Sequence, residues 1–111
     1  MIIGGKTMVI QKNCRFVRNQ DSPIVSEIFS NTSSDLMSLQ IDGSFSACLI
    51  KLEGRTNSDA DWTSLAGISL SDFAMAKTFT KAGIYELGII GIREVRVEVL
   101  SVSGGTVSVF G

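Results

Sequence analysis

Apolar and polar residues alternate with a period of two in several short segments of this chain. The alternation is clear in residues 37–41, 84–89, 95–99 and 106–109. Glycine, asparagine, aspartate and serine bound these segments, which recur every eight to twelve residues or so, and no stretch shows the apolar spacing of an amphipathic helix. The pattern predicts an all-β protein, an antiparallel β-sandwich of jelly-roll type with about eight strands. The expected core comprises Leu39, Ile41, Phe45, Leu49, Tyr85, Leu87, Ile89, Val97 and Val109.

The C-terminal segment predicts a hairpin and a bulge. Gly104-Gly105 suits a two-residue turn, which would pair Val102 with Val107. The apolar positions change parity between Val99 and Leu100, and one extra residue in a strand causes such a change. We therefore expect a β-bulge at that point.

A second hairpin is predicted around Asp42-Gly43. A three-residue loop there would place Ile41 opposite Phe45 and Leu39 opposite Ala47, which keeps apolar side chains together on one face.

The length of 111 residues predicts a single domain spanning 1–111. Within it, residues 35–111 are expected to form the sandwich core. Residues 1–34, with β-forming side chains at Met8 and Ile10, are expected to form an N-terminal strand or extension that covers a sheet.

Composition indicates more apolar surface than a small domain can bury alone. Hydrophobic residues make up 44% of the chain, charged residues only 19%, and the mean hydropathy is +0.29. Self-association as a symmetric ring or trimer would cover the surplus. Alternatively, residues 1–34 would cover it, or the apolar residues would all lie in the core beneath a serine-, threonine- and glycine-rich surface.

The chemistry needed for catalysis is sparse in this sequence. The chain has no histidine, and its two cysteines, Cys14 and Cys48, lack the spacing of a zinc site. Asp59 and Asp61 could offer carboxylates to Ca²⁺, but such clusters are typical of loops. We expect no enzymatic activity, no catalytic residue, no metal and no cofactor. Whether Cys14 and Cys48 pair is left open.

Charge and hydropathy also bear on partners and location. The net charge is −1 and no basic block occurs, so we expect no nucleic-acid partner. No apolar run is long enough to cross a bilayer, and the N-terminus lacks the pattern of a signal peptide, so we expect no membrane insertion and synthesis in the cytoplasm.

The one tryptophan, Trp62, is the candidate for a ligand or contact surface. It follows the polar loop 57–61. An exposed indole there would suit a glycan or another cell-surface ligand, whereas a packed one would cap the core or its rim.

The chain resembles small β-sandwich modules of virion proteins in tailed bacteriophages and prophage-derived particles. The resemblance covers residues 35–111 and is carried by residues 43–55, 62–65, 83–85, 91, 95–97 and 103–107. It implies a structural or attachment role in a head, tail or baseplate, with other virion proteins as partners, a virion location after synthesis in the bacterial host, and no cofactor. The alternative is a carbohydrate- or cell-surface-binding module.

Overall fold

Two antiparallel β-sheets form a sandwich in the computed structural model, which describes residues 14–31 and 34–111. These residues contain no helix, and so none long and apolar enough to cross a membrane. Their eleven strands are β1 (Arg15–Gln20), β2 (Ile24–Val25), β3 (Phe29–Ser30), β4 (Leu36–Ser44), β5 (Ala47–Arg55), β6 (Thr63–Ser64), β7 (Gly67–Ser69), β8 (Met75–Ala76), β9 (Gly83–Gly88), β10 (Glu94–Ser103) and β11 (Thr106–Phe110).

The predicted all-β antiparallel sandwich is confirmed. In the described part of the chain, the first sheet has the strand order β1-β11-β4-β9-β7-β8, and the second has the order β2-β10-β5-β6, with β3 also paired to β10. The strands number eleven rather than about eight because five of them are only two or three residues long. The jelly-roll connectivity stays a prediction.

The strand pair β5–β10 of the second sheet continues, through a bend in both chain segments, as the strand pair β4–β11 of the first sheet. In the second sheet, β5 pairs with β10 from Arg55↔Glu94 to Ala47↔Ser103. In the first sheet, β4 pairs with β11 from Ser44↔Thr106 onwards. The Ser46 N–H donates to the Ser103 carbonyl at 2.8 Å within the bend. The same two chain segments thus face each other in both sheets.

Both predicted hairpins are wrong for this reason. At Gly104-Gly105 the chain crosses between sheets, so Val107 lies opposite Gly43 and not opposite Val102. Asp42 and Gly43 lie within β4, and the chain bends after them, at residues 45–46. Each strand therefore pairs with the other bent segment and not with its own continuation.

The bend also corrects one predicted core position. In β4 the odd-numbered apolar residues face inwards, but after the bend β5 buries Cys48, Ile50 and Leu52 instead. Leu49 is only half-buried, because it lies on the outer side of β5, and Phe45 packs half-buried against the core at the bend. The other seven predicted core residues are buried.

Glycines at the bend allow the two chain segments to approach closely. Gly43 and Gly105 have φ angles of +133° and +149°. A Cβ on Gly105 would overlap the Ser44 carbonyl oxygen, and one on Gly43 would overlap the Thr106 carbonyl oxygen. Only glycine fits here without displacing the partner backbone.

The bulge predicted at the end of the valine run is confirmed. Val99 pairs with Ile50, but the next pair is Ser101 with Leu49, so Leu100 is the extra residue. The side chain of Leu100 is exposed. The bulge therefore turns an apolar side chain out of the sandwich.

The described part of the N-terminal segment extends both sheets at their edges. β1 pairs with β11, while β2 and β3 pair with β10. Residues 1–13, with Met8 and Ile10, lie outside the described residues. The single domain and its division after residue 34 stay predictions.

Candidate functional site

A ladder of opposite charges covers the outer face of the second sheet. Val95, Val97 and Val99 of β10 point into the core, so the residues between them point outwards. They meet outward-facing residues of β5 directly across the strand pair. The three pairs of this charge ladder are Arg55 with Glu94, Glu53 with Arg96, and Lys51 with Glu98.

The ladder is linked along the strands as well as across them. Arg55 Nε donates to Glu94 at 2.7 Å, and Arg96 Nε donates to Glu53 at 2.9 Å. Lys51 Nζ lies 3.8 Å from Glu53 and 3.9 Å from Glu98. The Glu53 side chain is only 8% exposed, so its carboxylate is shielded from water and held between two cations. Removing either partner of such a shielded carboxylate would leave an uncompensated charge and destabilise the fold.

Trp62 lies over this ladder. Its ring centroid is 4.2 Å from the Arg55 guanidinium and 4.3 Å from that of Arg96, which is the geometry of cation–π contacts. Trp62 enters β6, whose residues Thr63 and Ser64 pair with β5 and hold the indole in place. The ring is half-buried and packs on charged groups. A role for Trp62 in ligand or partner binding stays a prediction.

The loop before Trp62 is closed by turn hydrogen bonds. The Asp59 N–H donates to Asn57 Oδ1 at 2.9 Å, and the Ala60 N–H donates to the Asn57 carbonyl at 3.0 Å. Residues 14–31 and 34–111 contain no group of three or more cysteine, aspartate or glutamate side chains that could hold a metal ion. The geometry of Asp59 and its neighbours is that of an Asx-type turn.

An open polar cavity of about 540 Å³ lies at the same end of the second sheet. Hydroxyl and amide side chains dominate its lining, and Glu94 joins it to the charge ladder. The lining residues are Ser30, Asn31, Thr56, Asn57, Ser58, Arg93 and Glu94. The Asn31 amide is already used, since its Nδ2 donates to the carbonyls of Ser34 and Ile92. Asn57 Oδ1 and the Glu94 carboxylate are also engaged, by the Asp59 N–H and by Arg55. The hydroxyls of Ser30, Thr56 and Ser58 are the lining groups that suit a hydroxyl-rich ligand.

A second surface, on the opposite sheet, was missed by sequence reasoning. Phe73 lies in the connection between β7 and β8, where it is 75% exposed and has a φ angle of +61°. Its N–H donates to the Ser69 carbonyl at 2.7 Å, and the Ser69 N–H donates to the Ala74 carbonyl at 2.9 Å, so this conformation is fixed by hydrogen bonds. A bulky residue is rarely found at such an angle.

Other exposed apolar side chains lie on the same hairpin as Phe73 and on the strand beside it. Met75 is 69% exposed, and the Leu70 N–H donates to the Ile84 carbonyl, which brings that strand alongside the hairpin. We call Leu70, Phe73, Met75 and Ile84 the apolar knob. In the sequence, the only sign of it was an aromatic residue among the turn-forming residues 71–74.

The two cysteines are buried free thiols. Burial raises the pKa of both, which favours the neutral thiol over the nucleophilic thiolate. Cys14 and Cys48 are not joined to each other in this structure.

Two solved crystal structures have a fold similar to that of this chain. The crystal structure of SPBc2 prophage-derived protein YomS matches with a TM-score of 0.80 and 24% identity over 95% of each chain. The crystal structure of PBSX exported protein XepA matches with a TM-score of 0.81 and 19% identity over 98% of this chain. The present chain spans only 46% of that XepA chain. No curated protein sequence matches.

These likenesses confirm the predicted β-sandwich fold. The predicted resemblance to modules of prophage-derived proteins is confirmed by a match to a family model. The family model of XepA matches residues 11–111, which is most of the chain. The chain is therefore a member of the XepA family.

Proposed function

We propose that this chain is a non-enzymatic structural component of a phage or prophage particle and acts through protein–protein contacts in a head, tail or baseplate. The observation that carries the proposal is the apolar knob, an aromatic side chain displayed on a hydrogen-bonded hairpin. Aromatic anchors of this kind are enriched at the centres of protein interfaces. The names of two structural neighbours, one prophage-derived and one from PBSX, support the phage association.

The chemistry of the described surface supports a role without catalysis. The sequence supplies no histidine. The charged side chains of the ladder are paired with one another, so they stabilise a surface more readily than they exchange protons with a substrate.

Self-association is part of the proposal, as a ring or trimer, with other virion proteins as further partners. The low charge content, the positive mean hydropathy and the exposed apolar side chains all support it. On this proposal the chain is synthesised in the bacterial host cytoplasm and ends in the virion. The XepA of known structure is described as an exported protein, which is compatible with that destination.

The proposed role is tested by measuring whether this chain is present in purified phage particles. Particles from the producing strain are separated on a density gradient, and this chain is quantified in each fraction by mass spectrometry. We expect it to travel with the particles, and Phe73→Asp to lower its amount there at least fivefold. Ile90→Asp is the matched control, because Ile90 is also exposed but lies outside the knob. A chain found only in particle-free fractions would overturn the proposal.

The alternative function is carbohydrate or cell-surface binding, and one observation favours it. Trp62 lies close to a polar cavity, joined to it through the Arg55–Glu94 pair. Host cell-wall polysaccharide titrated against Trp62 fluorescence tests this function. Saturable quenching that is lost in Thr56→Val would support a glycan site, because Thr56 lines the cavity, and no change in fluorescence up to millimolar sugar would count against it.

A further inference from the structure

We propose that the polar cavity beside the charge ladder binds a phosphate ester that also carries hydroxyl groups, as a phosphorylated polyol or sugar does. The cavity of about 540 Å³ is lined by Arg93 and by residues 56–58, among others. The inference rests on the alternative function, binding at a cell surface, and names the chemistry of its ligand. It leaves the proposed structural role unchanged.

The carboxylate and amide acceptors that line the cavity are already engaged. Glu94 Oε1 accepts a hydrogen bond from Arg55 Nε at 2.7 Å. Asn31 Oδ1 accepts the Ser34 N–H at 3.0 Å, and Asn57 Oδ1 accepts a backbone N–H of its own loop at 2.9 Å. A ligand that offers mainly donors therefore finds only hydroxyl oxygens to bind.

The donors of the cavity are free. The Arg93 guanidinium forms no ion pair with the described part of the chain. The N–H groups of Asn57 and Ser58 donate to none of the described residues. The hydroxyls of Ser30, Thr56 and Ser58 line the same space and can donate as well as accept. Free donors around one cation suit a ligand that is rich in acceptors and negatively charged.

Arg93 differs from the two arginines of the charge ladder. Arg55 and Arg96 are each bound to a glutamate and stack on Trp62. Arg93 is exposed at the cavity and has no described carboxylate partner. A guanidinium binds phosphate oxygens through two parallel N–H donors, which a lysine ammonium cannot do. Arg93 is therefore the expected phosphate contact.

The backbone that carries Arg93 is held in place without a ligand. Its N–H donates to the Arg55 carbonyl at 2.9 Å, and its carbonyl accepts the Asn31 N–H at 2.7 Å. The Asn31 side chain also donates to the Ile92 carbonyl at 2.8 Å. Because the backbone is fixed, binding orders only side chains, which lowers its entropic cost.

The surrounding charges favour a ligand with one phosphate between hydroxyl-bearing groups. Asp59 and Asp61 follow in the same loop, where both are exposed and neither lines the cavity. Their carboxylates repel a densely charged polyanion more than a single phosphodiester. The volume lies within the range of about 300–1,000 Å³ that is usual for small-ligand sites. One phosphate with a short polyol on either side fits such a space.

Isothermal titration calorimetry with glycerol 1-phosphate tests the site. We expect saturable binding that weakens at least tenfold in Arg93→Gln, because the phosphate contact is lost. Arg18→Gln is the matched control, since Arg18 is also exposed and without a described ion pair but lies on β1 of the other sheet. This control should change the affinity less than twofold. Absence of saturable binding in the millimolar range, or equal losses in the two variants, would overturn the site.

Glycerol and inorganic phosphate, titrated separately, divide the proposed ligand into its two parts. We expect no saturable heat from glycerol, and at least threefold weaker binding of inorganic phosphate than of the ester. Thr56→Val keeps the side-chain shape but removes a hydroxyl, so it should weaken the ester and not inorganic phosphate. Equal binding of ester and inorganic phosphate would overturn the role of the hydroxyls. Circular dichroism of each variant excludes misfolding.

Two further measurements separate the sources of the phosphate and the two functions. Sedimentation with phosphatidylglycerol vesicles, in a chain that does not bind glycerol 1-phosphate, would overturn the soluble ligand in favour of a lipid surface. Quenching of Trp62 by a phosphate-free polysaccharide, again without binding of the ester, would overturn this inference and leave the alternative function standing. Recovery of the chain in particles tests the structural role alone.

Discussion

The guanidinium of Arg96 lies 4.3 Å from the centroid of the Trp62 ring and so joins an indole to a charged strand pair. The Nε of the same guanidinium donates to the shielded carboxylate of Glu53. The indole thus covers an ion pair and keeps water from it, which strengthens the electrostatic contact beneath.

Replacing Trp62 with alanine is expected to lower the free energy of unfolding by about 1–2 kcal/mol, because two cation–π contacts are lost. Urea denaturation followed by circular dichroism measures the change. Trp62→Phe should recover part of the loss, since a smaller ring keeps the stacking. Unchanged stability in Trp62→Ala would mean that the indole does not support the ladder.

Glu53→Gln is expected to destabilise the fold by about 1–3 kcal/mol, because Arg96 and Lys51 lose a shielded carboxylate between them. Glu98→Gln is the matched control in the same ladder. Its carboxylate is 31% exposed and lies 3.9 Å from Lys51, so the loss should stay below about 1 kcal/mol. Equal losses in the two variants would contradict this difference in shielding.

Gly105→Ala is expected to lower the free energy of unfolding by more than about 1 kcal/mol, since the new Cβ would overlap the Ser44 carbonyl and the φ angle is positive. Gly88→Ala should change stability by less than about 0.5 kcal/mol, because nothing lies within 4 Å of the added carbon. Thermal unfolding of both variants checks the pair. A tolerated alanine at position 105 would refute the close approach at the bend.

Stability is expected to fall at alkaline pH. Burial raises the pKa of Cys14, Cys48 and Tyr85 in the folded chain. The unfolded chain then releases these protons first, so the stabilising effect is complete below the ordinary thiol value of 9.0 and is lost as pH rises through the folded pKa. Urea midpoints between about pH 7 and 10.5 measure the slope, and Cys14→Ala with Cys48→Ala should flatten it. An unchanged slope in this double variant would mean that groups other than the two thiols cause the loss of stability at alkaline pH.

Phe73→Asn is expected to raise the stability of a single copy by about 0.5–1 kcal/mol, because asparagine tolerates a left-handed φ angle better than phenylalanine. The same variant should weaken self-association. Met75→Asn removes a similarly exposed apolar side chain from the knob without changing a strained residue, and should give no gain in stability. Dilute thermal unfolding and light scattering together check both effects, and a loss of stability in Phe73→Asn would argue against strain.

Local alternation was sufficient to predict the fold class, the bulge at Leu100 and most of the core, because each depends on the parity of neighbouring residues. Strand partners were not predictable in the same way. A strand that bends between sheets keeps its alternation but changes its partner, so Gly104-Gly105 and Asp42-Gly43 both suggested hairpins that do not form. Leu49 was assigned to the wrong side for this reason.

The candidate surfaces could be predicted from the sequence only in part, because local pattern does not show which residues meet in space. Trp62 was identified from its residue type, but its partners Arg55 and Arg96 are brought together beneath it only through strand pairing. Phe79 was missed from the core because its neighbours are polar, although it exchanges two backbone hydrogen bonds with Ile50. Phe73 was missed because exposure at a turn has no periodic pattern.

The shared bend has a consequence for how the chain folds. Residues 40–55 face residues 94–110 in both sheets, so the chain between them must be closed into one large loop before either long pairing can form. Pairings so far apart in sequence are slow to nucleate. Once formed in one sheet, the pairing sets the register of the other through the Ser46–Ser103 hydrogen bond. The two sheets should therefore fold and unfold as one cooperative unit, and a slip of register in either would misalign both.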